Sequence, residues 1–174
     1  LSNKVTGPYN YTLPSTLVVE NNNSHSTMAL NSYKGGGVAV CVTGDCNLTA
    51  GSTINLNVNG AIIRNNESRG EGGGIYFTHE NTNNNYTCNV FLNKGTIAYN
   101  KVRIHNGTSN GGGLYTWRTN ILNNSSQSGT FLFYKNHCEG YGGGICQQNS
   151  EIYDADGFAA SNESRIELSN SQMS

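Results

Sequence analysis

The chain has 174 residues, of which 12% are charged, and a formal net charge of −1, so it is long enough for one domain with its own core. No basic stripe suits nucleic acid or an anionic membrane surface, and no apolar stretch approaches the roughly 20 residues that span a bilayer. Polarity comes from 28 Asn, 22 Gly, 17 Ser and 15 Thr, which together with short β-branched and aromatic runs predict an all-β protein rich in turns.

In chain order, the sequence divides into an extension, a run of repeats and a tail. We expect residues 1–14 to form an N-terminal extension or cap, residues 15–168 a repeat domain and residues 169–174 a C-terminal tail. Within the repeat domain, a triple glycine followed by an aliphatic residue occurs four times, at spacings of 37, 39 and 31 residues. Such triplets predict tight corners, because glycine reaches backbone torsions closed to other residues. The triplets are Gly35, Gly36 and Gly37; Gly72, Gly73 and Gly74; Gly111, Gly112 and Gly113; and Gly142, Gly143 and Gly144.

A second motif, an apolar residue three places before an asparagine, lies upstream of each triplet. Its copies are Val18 with Asn21, Ile62 with Asn65, Ile97 with Asn100, Phe133 with Asn136 and, in degenerate form, Ala159 with Asn162. We interpret Asn65, Asn100 and Asn136 as structural turn residues, since asparagine tolerates the left-handed conformation and its amide can bond nearby main-chain groups. Stacked amides can also bond one another along a common axis.

Counted from one glycine triplet to the next, each repeat contains about three short β-like runs. After the second triplet these runs span residues 74–77, 88–92 and 96–99. Helix is disfavoured, because Gly or Asn interrupts every apolar run before two helical turns could form. No run buries enough surface alone, so the repeats are expected to stack in register as a parallel solenoid with a rise of about 4.8 Å. Two interior columns are predicted: Val38, Ile75, Leu114 and Ile145, and separately Ile62, Ile97 and Phe133.

The order of the two motifs resembles the repeat of the chlamydial polymorphic outer-membrane protein family, whose motifs are Phe-x-x-Asn and Gly-Gly-Ala-Ile. The matching segments are 133–136 with 143–145, 62–65 with 73–75, and 97–100 with 112–114, and the likeness covers roughly residues 16–165. It implies a right-handed parallel β-helix used for surface display and adhesion. With the repeat count, the expected fold is an all-β, right-handed parallel β-helix of about four to five coils with three short strands per coil.

The sequon Asn-x-Ser/Thr occurs nine times, against roughly five expected from the composition, which indicates a glycosylated protein that is secreted or displayed at the cell surface. The chain opens at Leu1 without a signal-like segment, as expected if a signal peptide has been removed or if the chain is a fragment. The predicted acceptors of N-linked glycans are Asn10, Asn22, Asn47, Asn66, Asn85, Asn106, Asn123, Asn124 and Asn162.

The five cysteines lack the spacing of a metal site and leave at least one thiol without a partner in the chain. Disulfides Cys41–Cys46 and Cys138–Cys146 are expected, because each would close a short loop beside a glycine corner. Cys88 would then stay free or bridge to another chain. The alternative is that these residues are buried, reduced thiols in stacked strands.

A catalytic site is the main rival interpretation, since β-helices include enzymes that cleave polysaccharides. A glycoside hydrolase needs paired carboxylates, and a polysaccharide lyase needs an acidic calcium site with a base. The aspartates Asp45, Asp154 and Asp156 form no ligand-rich loop, and the four histidines occupy unrelated positions of the repeat. Glu67, Glu71 and Glu139 are interpreted as solvated loop carboxylates. We therefore expect no enzyme and no cofactor or metal.

Tyr76 and Tyr115 each follow the first interior column by one residue, so they are expected to stack on the outer face. There they could grip sugar rings or act as ordinary cross-strand partners. The sequence predicts an extracellular structural or adhesive module, with a carbohydrate-active enzyme as the alternative. The sequence shows no amphipathic capping helix at either terminus, which leaves three alternatives for the strand edges at the ends: the termini fold over them, the native chain continues, or copies stack end to end into a filament. The expected partners are such copies, or host and cell-surface glycans and proteins.

Overall fold

A computed structural model describes residues 7–24, 34–42, 48–49, 51–79, 86–103, 109–122, 130–148 and 171–173. Strands, turns and bends make up these residues, and no helix occurs among them. The predicted all-β class is therefore confirmed. It arises because apolar side chains alternate with Asn, Ser and Thr over short runs, and glycine interrupts each run before a helix could form.

The strands of the described residues differ widely in length, from two residues to twelve. They are β1 (Tyr9–Pro14), β2 (Val18–Glu20), β3 (Asn23–Ser24), β4 (Val38–Val42), β5 (Thr53–Arg64), β6 (Glu67–Ser68), β7 (Ile75–His79), β8 (Thr87–Ala98), β9 (Lys101–Val102), β10 (Leu114–Trp117), β11 (Asn120–Leu122), β12 (Phe131–Tyr134), β13 (His137–Cys138), β14 (Ile145–Gln148) and β15 (Ser171–Met173).

Three sheets are built from these strands, and every pairing that the described residues make within them is parallel. The long sheet contains β1, β2, β5, β8, β11, β12 and β15; the glycine-corner sheet contains β4, β7, β10 and β14; the short sheet contains β3, β6, β9 and β13. Repeat 1 (β1–β4), repeat 2 (β5–β7), repeat 3 (β8–β10) and repeat 4 (β11–β14) each contribute to all three sheets. This arrangement is consistent with a β-solenoid.

The first predicted interior column is confirmed. In the glycine-corner sheet, Ile75 pairs with Val38 on one side and with Leu114 on the other, and Leu114 pairs with Ile145. Ile75 and Leu114 are fully buried, whereas Val38 and Ile145, in the outermost strands, are only partly buried. Each aliphatic side chain is thus covered by its equivalents in the neighbouring repeats, which no single repeat could achieve.

The second predicted column was wrong by one residue in repeat 2. Ile63, not Ile62, pairs with Ile97, and Ile97 pairs with Phe133. Ile63 is fully buried, whereas Ile62 is partly exposed. Because successive side chains of a strand face opposite sides, a shift of one residue exchanges the inner and outer faces. The sequence offers two adjacent isoleucines at this point, and the motif fits either.

Only the first glycine of each triplet lies in the left-handed region, with φ between 66° at Gly72 and 75° at Gly35. In the first three triplets, the other two glycines are required by close approach between repeats. A Cβ placed on Gly74 would lie 2.5 Å from the carbonyl oxygen of Gly113 and 2.9 Å from Nδ2 of Asn100. The triplet therefore combines one turn residue with two positions where successive corners pack main chain against main chain.

Two segments that were predicted to lie outside the repeat domain pair with its strands. Residues 9–14, assigned above to an N-terminal extension, form β1 and pair in register with β5 over its first half. Residues 171–173, assigned to the tail, form β15 and pair with β12. Both segments were placed outside the repeat because they lack the glycine and asparagine motifs, which mark the corners of a repeat and not its strands.

The glycine corners give a direct test of the packing. Replacing Gly74→Ala should lower the free energy of unfolding by on the order of 2–4 kcal/mol, because the added methyl group has no space between repeats 2 and 3. Gly144→Ala is the matched control, since a Cβ on Gly144 meets nothing within 4 Å, and it should change stability by less than about 0.5 kcal/mol. Urea unfolding of the two variants measures both effects. Equal destabilisation would contradict the stacking order.

Candidate functional site

The inner ladder (Asn22, Asn66, Asn100 and Asn136) runs through four repeats at the corner between the long and short sheets. The Nδ2 groups of Asn22, Asn66 and Asn100 each donate to Oδ1 of the next asparagine, at 3.0, 2.9 and 3.0 Å. Their main-chain N–H groups donate to the same oxygens at 3.1 Å.

Each later member of the inner ladder also bonds back to the preceding repeat. Nδ2 of Asn66 donates to the carbonyl of Val19, and Nδ2 of Asn100 donates to that of Ile63. Nδ2 of Asn136 likewise donates a hydrogen bond to the carbonyl oxygen of Ile97, at a distance of 2.8 Å. Asn66 and Asn100 are fully buried. Hydrogen bonds in both directions therefore satisfy amides that would be costly to bury unpaired.

Asn65 is not the residue that stacks with Asn100, contrary to the prediction. It lies one position earlier, in a column of left-handed residues whose φ angles are 58° at Asn21, 56° at Asn65, 56° at Tyr99 and 51° at Lys135. The functions assigned to one asparagine are thus divided between two neighbours. The first makes the left-handed turn, which tyrosine and lysine also adopt here, and the second supplies the amide of the ladder.

An outer ladder (Asn10, Asn55, Asn89 and Asn120) follows the solvent side of the long sheet and was not predicted from the sequence. Nδ2 of Asn55 donates to Oδ1 of Asn10 at 2.8 Å, Asn89 donates to Asn55 at 2.8 Å, and Asn120 donates to Asn89 at 3.0 Å. The available signal was alternation, since Asn55 and Asn89 each stand between two buried side chains of their strand.

The two ladders have opposite polarity. In the inner ladder each amide donates toward the C-terminal repeats, whereas in the outer ladder each amide donates toward the N-terminal repeats. The amide dipoles of the two columns therefore point in opposite directions along the stack. Each ladder links the same four repeats, one at a buried corner and the other on a sheet face.

The expected tyrosine stack is present, but its expected exposure was wrong. The rings of Tyr76 and Tyr115 are parallel within 6° and their centroids are 5.5 Å apart, yet only 2% and 3% of the two residues are exposed. Nζ of Lys34 lies 5.2 Å from the centre of the Tyr76 ring. The Tyr115 hydroxyl donates a hydrogen bond to Oε1 of Gln148, at a distance of 2.8 Å. Burial raises the pKa of both phenols, so they stay neutral and act as packing groups.

His79 is a buried imidazole at the end of β7. It is 4% exposed and lies 5.3 Å from the ring centre of Tyr86. Burial lowers the pKa of His79 from 6.5 to about 4, and the positive charge of Arg118 adds to this effect. The imidazole is therefore neutral at physiological pH and contributes to the core of the repeat.

Three of the nine predicted glycan acceptors lie in the described residues. Asn10 and Asn22 are exposed, in repeat 1. Asn66 is fully buried and its Nδ2 already donates two hydrogen bonds, so a glycan on that nitrogen does not fit this fold, and the assignment of Asn66 was wrong. The remaining acceptors lie outside the described residues: Asn47, Asn85, Asn106, Asn123, Asn124 and Asn162.

Cys138 and Cys146 are both free thiols, so the predicted Cys138–Cys146 disulfide is not formed. Sγ of Cys138 instead donates to the carbonyl of Ser109 at 2.9 Å, and burial raises the pKa of the Cys146 thiol. Cys88 is 2% exposed and belongs to the core, as the alternative of buried thiols predicts. The proposed partner of Cys41, Cys46, lies outside the described residues.

Glu67 and Glu71 lie in separate columns, one in the short sheet and one beside the glycine corner. Glu67 is paired with Lys101 in the sheet and accepts an ion pair from Arg103 at 2.8 Å, whereas Glu71 is bridged to Asn110. No group of three or more potential metal ligands occurs within the described ranges. These ranges contain no helix, and so no helix that is long and apolar enough to cross a membrane. Asp45, Asp154 and Asp156 lie outside these ranges.

Removing one amide tests the inner ladder. Asn100→Ala should lower the free energy of unfolding by on the order of 3 kcal/mol or more, since Oδ1 and Nδ2 of this buried residue take part in four hydrogen bonds. Asn55→Ala in the partly exposed outer ladder is the matched control and should cost about 1 kcal/mol or less. Urea midpoints compare them, and similar losses would contradict the structural role of the inner ladder.

The pKa of His79 predicts how stability depends on pH. Between pH 6.5 and about pH 4, the unfolded chain binds a proton at His79 that the folded chain does not. The contribution of His79 to the free energy of unfolding is therefore fully present above pH 6.5 and is lost as the pH falls. From about pH 7.5 to about pH 5 the loss should be about 2 kcal/mol. His79→Gln should abolish this part of the loss in urea titrations. An unchanged pH profile would show that His79 titrates normally.

The chain matches no protein-family model, no curated protein and no solved structure.

Proposed function

We propose that the chain is an extracellular structural or adhesive module, a rigid scaffold and not a catalyst. In this proposal the repeats wind as a right-handed parallel β-helix of four to five coils, each with three short strands. Right-handed winding is supported by the general rule that connections between parallel strands of one sheet are right-handed in nearly all proteins. The likeness to chlamydial surface-protein repeats supports the same fold and a role in surface display.

The observation that carries the proposal is how the asparagines are used. Eight of them form two ladders whose side-chain amides bond to one another from repeat to repeat. The inner ladder also bonds to the main chain of the preceding repeat. Fully bonded polar columns stiffen a structure and define a single register, because a slip would leave every amide unpaired. The use of the commonest polar residue to fix the shape of the stack supports a scaffold role.

An extracellular location is supported by the excess of sequons and by the exposure of Asn10 and Asn22. N-linked glycans would there cover the solvent-facing side of repeat 1 and add to solubility. Sparse charge, with a formal net charge of −1, suits a module displayed in series with others better than one that binds nucleic acid.

The surface best suited to adhesion is the aromatic patch (Tyr99, Tyr134 and Lys135). Tyr99 is 46% exposed, and its ring meets that of Tyr134 edge to face, with centroids 5.3 Å apart. Nζ of Lys135 lies 5.5 Å from the Tyr99 ring centre. Exposed aromatic rings beside a cation are well suited to stack on sugar rings and to bond their hydroxyls, so cell-surface glycans are the proposed ligands.

Binding without turnover is the test of this function. The protein should bind a panel of cell-surface glycans, or cells, saturably, while releasing no reducing or unsaturated sugars from polysaccharides with or without calcium. Sugar release would instead establish the carbohydrate-active enzyme. If the protein shows neither binding nor turnover, the adhesive role is wrong and the structural role alone is left. High stability of the stacked repeats would then be the evidence for that role.

The aromatic patch has a substitution that spares the backbone. Tyr99→Asn should reduce glycan or cell binding by roughly tenfold or more while preserving the fold, because asparagine already occupies the equivalent left-handed positions in repeats 1 and 2. Tyr141→Ala is the control, since Tyr141 is 79% exposed but lies outside the patch. Surface plasmon resonance would compare them. Equal binding by both variants would exclude the patch as the adhesive surface.

A further inference from the structure

The two ends of the stack carry opposite halves of the same hydrogen bonds. At the N-terminal end, among the described residues, Oδ1 of Asn22 accepts no bond and Nδ2 of Asn10 donates none. At the other end, the main-chain N–H of Asn136 and the Oδ1 of Asn120 have no partner among these residues. One end thus offers an acceptor where the other offers a donor, and the reverse holds in the outer ladder.

The N-terminal end is also open in its apolar core. A half-open cavity of about 350 Å³ lies there between β1 and β4. It is lined by Tyr9, Tyr11, Val40, Val42, Leu48 and Ile54, together with Ala39 and Cys41. The residues that pair with Tyr11 and Val40 in repeat 2, Leu56 and Phe77, are buried. An apolar mouth beside the outermost described strands favours docking of another solenoid end.

Among the described residues, nothing packs closely against Gly144 in the glycine corner at the C-terminal end. A Cβ on Gly37, Gly74 or Gly113 would lie 2.5–2.7 Å from the carbonyl oxygen of the equivalent glycine in the following repeat, whereas a Cβ on Gly144 would meet nothing within 4 Å. The corner of repeat 4 therefore presents the same flat main-chain surface on which each earlier repeat receives its successor.

We propose that copies of this chain dock head to tail, with repeat 4 of one copy stacked on repeat 1 of the next. The inference rests on the proposed scaffold function and specifies its partner as a second copy. Asn136 of one copy would donate to Asn22 of the next, and Asn10 of the next copy would donate to Asn120. A head-to-head contact would instead place acceptor against acceptor. A heterologous contact of this kind does not close, so it continues as a filament.

β15 stands in the path of this contact. It occupies the edge of β12, the place in the long sheet that β2 of an incoming copy needs, because β2 and β12 are equivalent strands that pair with β5 and β8 at the same position. Docking therefore requires β15 to leave its edge. With three residues, β15 forms few hydrogen bonds, so it acts as a guard that slows assembly and does not prevent it.

N-linked glycans provide a second control over the same end. Asn10 and Asn22 are the N-terminal members of the outer and inner ladders, and both are sequon asparagines. A glycan on Nδ2 of either residue would cover the face that receives the next copy. The experiment therefore uses the full chain produced without glycans.

Assembly is measured by sedimentation velocity and negative-stain microscopy as a function of protein concentration. The wild-type chain should form single-file rods of constant width. Gly144→Ala should reduce the assembled fraction by roughly tenfold or more, because its methyl group would meet the Gly37 carbonyl of the next copy. Lys94→Ala, an exposed change in the middle repeat, is the control and should assemble as the wild type does.

The double substitution Gln172→Pro and Met173→Pro tests the guard, because consecutive prolines remove two of the three main-chain N–H groups of β15. It should increase the assembled fraction, and rods formed by this variant alone would also support the proposal. If both the wild type and the double variant stay monomeric, or if Gly144→Ala assembles as readily as the wild type, head-to-tail docking is wrong. Glycan binding and thermal stability of the monomer, measured in parallel, show separately whether the scaffold function stands.

Discussion

The structure depends on amides that bond between repeats at a buried corner. Asn66 and Asn100 each use both side-chain atoms to join their own repeat to the repeats before and after it. Because the corner is inaccessible to water, a register error would leave these groups buried and unpaired, at a cost comparable with a large part of the stability of a small domain. The aliphatic columns supply most of the burial, but apolar contacts tolerate small shifts, so the inner ladder is what selects one register.

The glycine triplets follow from the same constraint. Amides can bond across the inner ladder only if successive repeats approach closely, and at the adjacent corner this closeness leaves no room for a Cβ on Gly73 or Gly74. Sequence analysis identified these triplets and the column through Val38, Ile75, Leu114 and Ile145, because glycine and aliphatic residues recur there at unambiguous positions. The parallel all-β architecture could therefore be predicted from the repeat alone.

Other features could not be predicted, for identifiable reasons. Pairs of equivalent neighbours, such as Ile62 with Ile63 and Asn65 with Asn66, satisfy the motif in either register, and only the packed strands show which member faces inward. The outer ladder was missed because asparagine is so frequent that its alternation in β5 resembles ordinary polar filling of an exposed face. The burial of Tyr76 and Tyr115 depends on groups distant in sequence, including Lys34 and Gln148, which a pattern of alternating residues cannot indicate.

Repeats that stack closely and bond to one another through asparagine amides account for the composition: little charge, much glycine, and asparagine as the main polar residue. The most direct measurement of the central claim is side-chain amide NMR of the ¹⁵N-labelled chain. The account predicts nuclear Overhauser contacts between the Nδ2 protons of Asn66 and those of Asn100, at the spacing of about 4.8 Å between stacked strands, and slow exchange of these protons with solvent. Rapid exchange and no contact between the two amides would contradict it.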